Sequence, residues 1–352
     1  MMFYYDDKKN VYRTQTDAIK SAKFCHFYYH DDVFSKVDWK TEPTETLEQI
    51  YRERAQQIRD QYEYVILCYS GGYDSTNILE SFYYNNIHID EILLVGAFSQ
   101  DSRYGTDENH NGDIYHNAFP TLRSMNLPNT KITVADYTDH FNDPNNFTLI
   151  KKYGNEWTNH IGGFKSVHNL FWYDLKKFVG KNNNKNTCYI MGSDKPGYEF
   201  EEKAIRFNDL SVNDYGANYQ DENFTRINFY NGTDDVVIKL MVKQGHVVMK
   251  LDDIFFKMYE EQEKNAHPLL NRELAYWNKT KRINEIIYNL RAPMKFESTK
   301  SMYNTLSARD MFMLKSQNSE MYRMFLEGMK NLSSFSHIYK KYCFWSQPYY
   351  LT

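Results

Sequence analysis

Six consecutive residues, Ser70-Gly71-Gly72-Tyr73-Asp74-Ser75, join the side chains and the backbone freedom that a phosphate group needs. Adjacent glycines let the chain turn sharply and set its N–H groups against a ligand with no Cβ in the way. A helix starting behind the turn adds unpaired N–H groups and the positive end of its dipole. Ser70 and Ser75 supply hydroxyl donors, and Asp74 supplies a carboxylate able to hold a divalent cation against phosphate oxygens. No lysine follows the glycines and no GxxxxGK[ST] run occurs, so the loop is not of the Walker type. An ordinary strand–helix turn is the plainer alternative.

The SGGYDS run resembles the SGGxDS loop of the PP-loop ATP pyrophosphatases. That group includes the synthetase domain of asparagine synthetase, GMP synthetase, the 7-cyano-7-deazaguanine synthases and tRNA-lysidine synthetase. The resemblance implies cleavage of ATP between its α- and β-phosphates, adenylation of a substrate oxygen and release of pyrophosphate, with ATP and Mg²⁺ as cofactors. Ser70, Gly71, Gly72, Asp74 and Ser75 would hold the pyrophosphate. A second run, Gly192-Ser193-Asp194-Lys195-Pro196-Gly197, looks like the facing loop of the asparagine-synthetase-like branch. By that likeness Asp194 is the second Mg²⁺ ligand beside Asp74. Met191, Gly192 and Ser193 lie near the adenosine, and Lys195 steadies the leaving pyrophosphate. The adenine would rest on backbone near Val95, Gly96, Ala97 and Phe98. Lys195-Pro196 departs from the branch, whose members carry an acidic residue after the aspartate. Both the metal arrangement and the acceptor chemistry are thereby open, and a surface turn has the same composition.

The elements that must position these loops follow a strand–helix rhythm. Tyr64–Tyr69 reads as a strand and Ser75–Asn85 as a helix with Ile78, Leu79 and Phe82 inward. Ile89–Gly96 is a second strand, Asp113–Met125 a helix, and Lys131–Tyr137 a strand with Ile132 and Val134 inward. A helix over Lys165–Val179 and a strand over Thr187–Met191 complete the set. Buried strands separated by helices predict an α/β fold with a doubly wound parallel sheet, whose ligands bind at the strands' carboxyl ends. Residues 1–62 form an N-terminal extension, with Phe3–Tyr5 pairing with Asn10–Tyr12, a short helix over Thr16–Lys23 and a longer one opening at Thr41-Glu42-Pro43-Thr44. Residues 63–198 are the PP-loop domain. After Pro196 the alternation stops, and residues 199–352 read as mainly helical, with helices over Asp234–Leu251, Glu273–Leu290 and Asp310–Leu332.

Composition narrows the classes. A net charge of −4 gives no general attraction to nucleic acid. The four cysteines, Cys25, Cys68, Cys188 and Cys343, form no CxxC pair and read as buried thiols of a reducing compartment. No apolar run approaches a membrane span and the N-terminus lacks a leader pattern, so a cytoplasmic protein is expected. Aromatic content of 17% suits an AT-rich source, and the chain has a general likeness to virus-encoded asparagine-synthetase-like proteins. His110 and His116 lack a third ligand nearby and read as solvated. Gly162-Gly163 with Lys165 is either an anion-binding helix start or a hinge. Among Arg206, His246, Arg272, Lys279 and Lys281, one or two would reach phosphate.

The leading expectation is an AMP-forming ligase that adenylates a carboxylate or amide-type carbonyl for attack by ammonia or an amine. Met2 stands where a glutaminase would need its cysteine, so the amine comes free or from a separate partner. The rival expectations are a nucleobase-modifying enzyme acting on tRNA or DNA, and a non-catalytic nucleotide-binding module.

Overall fold

The computed structural model describes residues 2–21, 25–96, 112–136, 147–160, 186–192, 195–200, 202–209, 224–250, 280–295, 319–330 and 344–352. At the start of the chain, β1 (Met2–Tyr5) pairs antiparallel with β2 (Val11–Tyr12) as expected, and α1 (Gln15–Ser21) follows. A third strand, β3 (His26–Tyr29), closes this small sheet against β1, and α2 (Asp31–Phe34) buries Phe34 beneath it.

Helix α3 (Leu47–Gln61) starts later than Pro43 suggests. Thr46 Oγ1 accepts from Gln49 N at 3.2 Å, and Gln49 Oε1 accepts from Thr46 N at 2.8 Å. That reciprocal cap satisfies two otherwise orphaned N–H groups, so it overrides the proline as the start signal. The helix buries Ile50, Tyr51, Ala55 and Ile58.

From here the alternation is regular: β4 (Tyr64–Cys68), α4 (Tyr73–Tyr83), β5 (Glu91–Gly96), a π-helical turn (Ile114–Ala118) running into α5 (Phe119–Ser124), and β6 (Lys131–Asp136). α6 (Thr148–Tyr153) and β7 (Thr187–Met191) follow. The helix expected over Lys165–Val179 lies outside the described residues. On β6 the expected pleat is reversed: Ile132 and Val134 are exposed, while Ala135 is buried and Thr133 Oγ1 donates to the buried Glu91 at 2.5 Å. β6 is the last strand of its sheet, and the polar partner on β5 decides which of its faces turns in.

One expectation about the rest of the chain is corrected and another is refined. The alternation does not stop at Pro196, because β10 (Phe224–Asn228) lies parallel to β7 and leads into α7 (Asp235–Met249). The later chain, expected to be mainly helical, also carries strands beside its helices. β8 (Gly197–Glu199) and β9 (Ala204–Arg206) form a hairpin, to which β11 (Tyr349–Tyr350) adds antiparallel. Helices occupy residues 280–288 (α8) and Ser319–Lys330 (α9). The boundary expected at residue 198 thus falls between two strands of one sheet.

That sheet is parallel throughout, in the order β10-β7-β4-β5-β6. The protein is therefore α/β, and this order fits a doubly wound architecture. From β4 the chain builds outward through β5 and β6, then returns to the other side of β4 with β7 and β10. The order reverses between β4 and β7, and a crevice opens at the carboxyl ends of such a pair.

Candidate functional site

Both glycine-containing loops leave the sheet at this reversal, one from β4 and one from β7. Gly71 has φ +79°, and a Cβ there would lie 2.4 Å from Asp113 O, so the turn closes only without a side chain. Gly72 caps α4 with no side-chain acceptor, leaving the first-turn N–H groups of that helix to other partners. Ser75 Oγ donates to Gly72 O at 3.2 Å and accepts from Ser70 N at 3.3 Å. Ser70 Oγ sits 3.1 Å from Ser75 Oγ and accepts from Gly72 N at 3.3 Å. Both hydroxyls brace the loop, so donation to a ligand requires exchange of these bonds. Gly192 touches the same turn: a Cβ there would lie 3.0 Å from Ser75 N and 3.2 Å from Asp74 C.

Asp74 and Lys195 meet across the crevice, with Lys195 Nζ 2.7 Å from Asp74 Oδ1. The Lys195 ammonium also donates to Asn284 Oδ1 and, at 3.3 Å, to Tyr288 Oη. Tyr288 Oη donates in turn to Asp74 Oδ1 at 2.5 Å. Tyr230 Oη donates to Asp74 O at 2.7 Å and accepts from Asn77 Nδ2 at 2.9 Å. Tyr198 Oη is buried and has no hydrogen-bond partner among the described residues. Burial, and then the charge of Asp74, push the phenols of Tyr288 and Tyr198 up. Burial and then the neighbouring Tyr51 and Asp74 do the same to Tyr230. All three phenols are neutral at ordinary pH, and Tyr230 and Tyr288 donate to Asp74.

Asp74 Oδ2 has no hydrogen-bond partner among the described residues, and its side chain is 34% exposed. A magnesium ion bridging phosphates needs one or two carboxylates together with water and phosphate oxygens. That oxygen fits the need, with Lys195 as a second positive charge beside it. No group of three His, Cys, Asp or Glu side chains gathers among the described residues.

Of the residues singled out in the sequence, the structure brings Ser70, Gly71, Gly72, Asp74, Ser75, Met191, Gly192 and Lys195 to one place. Ala97, Phe98, Ser193 and Asp194 lie outside the described residues, as do His110, Gly162, Gly163, Lys165, Arg272 and Lys279. Arg206 pairs with Glu202 at 2.6 Å. His246 Nε2 is 3.0 Å from Trp39 O, committed to packing. Cys68, close to the loop in sequence, has a thiol pushed up to about 12 by burial, which makes it a core group and a poor nucleophile. Sequence reasoning missed Asn284, Tyr288 and Tyr230. The only signal for Asn284 and Tyr288 was the apolar period of their helix, and Tyr230, in the bend after β10, had none.

A scan against models of protein families finds none that matches the chain, and a search of curated proteins finds no match either. Among the described residues no helix is long and apolar enough to cross a membrane.

Proposed function

We propose that the chain is an ATP-dependent, AMP-forming ligase of the PP-loop type, built on a doubly wound sheet. The observation that supports it most is the meeting of Asp74 and Lys195 at 2.7 Å across the carboxyl ends of β4 and β7. Two loops that share no sequence neighbourhood converge there on one glycine-lined turn, at the point of the sheet where ligands collect.

In this reading the triphosphate lies along Ser70–Ser75, on the N–H groups of the turn and of the first turn of α4. Asp74 would hold a magnesium ion, which would supply positive charge against the phosphate oxygens. Lys195 stabilises negative charge as it builds on pyrophosphate. A carboxylate or amide-type oxygen of the acceptor attacks the α-phosphorus, the bond to the bridging oxygen breaks, and an amine then displaces AMP from the adenylate. The protein works mainly by positioning and by preorganised charge. Neutral phenols behind Asp74 add to this, since they lower the local dielectric and carry no competing charge.

The test is ATP–pyrophosphate exchange by the purified protein, with labelled pyrophosphate, magnesium and a panel of carboxylate and amide acceptors. Exchange that needs an acceptor and falls at least about a hundredfold in Asp74→Asn is the expected result. Release of ADP, or AMP formation indifferent to Asp74→Asn, would overturn the proposal.

A further inference from the structure

The Lys195 ammonium has three N–H donors, and the structure gives each an acceptor: Asp74 Oδ1, Asn284 Oδ1 and Tyr288 Oη. These come from two segments. Asp74 opens α4, whereas Asn284 and Tyr288 are one turn apart on α8 and so share a face. Both α8 residues are buried, and the ammonium also lies 5.0 Å from the centroid of the Tyr288 ring. Lysine is a flexible four-carbon stem, so a fixed ammonium has to be held at its tip.

The docking of α8 is itself tied to the helix that carries Asp74. Glu80, on α4, is buried and accepts from Arg291 N at 3.0 Å and Ala292 N at 2.7 Å, just beyond the end of α8. From the other side Tyr51 Oη donates to Ile287 O at 2.8 Å and accepts from Gln244 Nε2 at 2.9 Å. The distance from Asp74 to Tyr288 is thereby set by two anchors that do not involve Lys195.

We infer that Asn284 and Tyr288 are positioning residues of the site: they hold the Lys195 ammonium against Asp74 before any ligand arrives. Their effect on turnover rests on the adenylation reading; their effect on Lys195 does not. A cation already ordered where charge develops stabilises the transition state without reorganisation, so its misplacement lowers kcat more than it raises KM.

The experiment has two arms, run on wild type, Tyr288→Phe, Asn284→Leu, Asn284→Asp and Glu80→Gln. In the first, lysines are acetylated with limiting acetic anhydride and the rate at Lys195 is read by mass spectrometry. Loss of one bond to a charged donor should raise that rate about tenfold in Tyr288→Phe and Asn284→Leu. Asn284→Asp keeps an acceptor oxygen and adds a negative charge beside the ammonium, so labelling should not rise above wild type. Glu80→Gln, which loosens α8 without touching Lys195, should lower the thermal midpoint and raise labelling less. Tyr288→Phe keeps the ring, so it reports even if Asn284→Leu does not fold. Equal Lys195 rates in Tyr288→Phe and wild type would overturn the inference. In the second arm, ATP–pyrophosphate exchange should lose about tenfold in kcat with KM for ATP nearly constant. A wild type with no exchange removes the adenylation reading and leaves the labelling arm to decide the positioning. Exchange in which the variants match wild type in kcat would remove the role in turnover.

Discussion

The central sheet and the module made by the two chain ends share helix α7, yet they are held together by opposite means. Around the sheet the core is mainly aliphatic, with Val65, Leu67, Ile78, Leu79, Ile92 and Leu94 packed between strands and helices that follow one another in sequence. Its aromatic group, Tyr51, Phe229, Tyr230 and Tyr288, gathers behind the candidate site. The terminal module is aromatic and non-local. Phe34 stacks on Phe207 at 4.9 Å and meets Tyr349 edge-on at 5.7 Å, and Trp39 lies 5.2 Å from Tyr349. Backbone bonds from Phe27 N to Trp345 O and from Ser346 N to Phe207 O tie the first strands to the last residues. Helix α7 sends Leu240 and Val248 into one core and Val237 and Met241 into the other. The candidate site sits where the two meet: Gly192 lies on the sheet's turn, while Gly197 packs under the Trp345 ring. Lys195 is therefore braced by local folding on one side and by the far end of the chain on the other.

The sharpest way to break the sheet side is Gly71→Ala. It combines a left-handed backbone, costing about 1–2 kcal/mol, with a collision against backbone at Asp113 O, so about 3 kcal/mol of stability should go. Gly72→Ala is the contrast, since φ there is −81° and the nearest atom to a Cβ is 3.5 Å away. Its unfolding free energy in urea should stay within about 1 kcal/mol of wild type, and on the proposed reading ATP binding should weaken. A Gly71→Ala protein as stable as Gly72→Ala would show that the turn is free to move.

On the terminal side the corresponding change is Gly197→Ala, whose Cβ would come within 2.7 Å of the Trp345 ring. A loss of about 1–2 kcal/mol is expected, from overpacking. Trp345→Ala should remove most of that penalty, giving a coupling of at least about 1 kcal/mol in a double-mutant cycle. Additive effects would mean that the chain end does not brace the second loop.

Legibility in the sequence follows the same division. Strands and helices from Tyr64 to Cys68, Tyr73 to Tyr83 and Thr187 to Met191 announce themselves because each buries its own apolar face. The two site loops are legible because they sit at the ends of such strands. β10 escapes notice because its run, Phe224-Thr225-Arg226-Ile227-Asn228, has only two apolar residues, spaced three apart, and so shows no strand period. β6 is misread in phase because the hydrogen bond from Thr133 to Glu91, a partner on another strand, outweighs the burial of Ile132 and Val134. Asn284 and Tyr288 carry no motif. Their helix is visible in the apolar spacing, but its docking depends on Glu80 accepting two backbone N–H groups more than two hundred residues away.

Buried thiols allow the two regions to be timed against each other. Burial pushes Cys25 in the terminal module up to about 11, and Cys68 and Cys188 in the sheet up to about 12. Each folded value exceeds the ordinary 9.0, so the stabilisation is complete below pH 9. It is lost as pH rises from there toward 11 and 12. At pH 8 a thiol reagent should reach Cys25 through local opening well before Cys68 or Cys188, because short strands and non-local contacts open at lower cost. Equal labelling rates would show that the two cores unfold as one unit.

The smallest effect concerns the segment that joins the regions. Glu42 accepts from Lys243 at 2.8 Å and Lys250 at 2.5 Å, pinning the chain before α3 to the last turns of α7. The Lys243 hydrogen bond, then that of Lys250, holds its carboxyl down to about 2, below the ordinary 4.5. A depressed carboxylate contributes stability above pH 4.5, and that contribution fades as pH falls toward 2. Lys250 is mostly in water, so screening leaves the pair worth about 1 kcal/mol or less. Glu42→Gln should then cost about 0.5 kcal/mol at pH 7 in low salt, and much less in 1 M NaCl or at pH 2. A cost independent of salt and pH would mean that Glu42 acts by packing, and the join between the two regions would then be as apolar as the cores it connects.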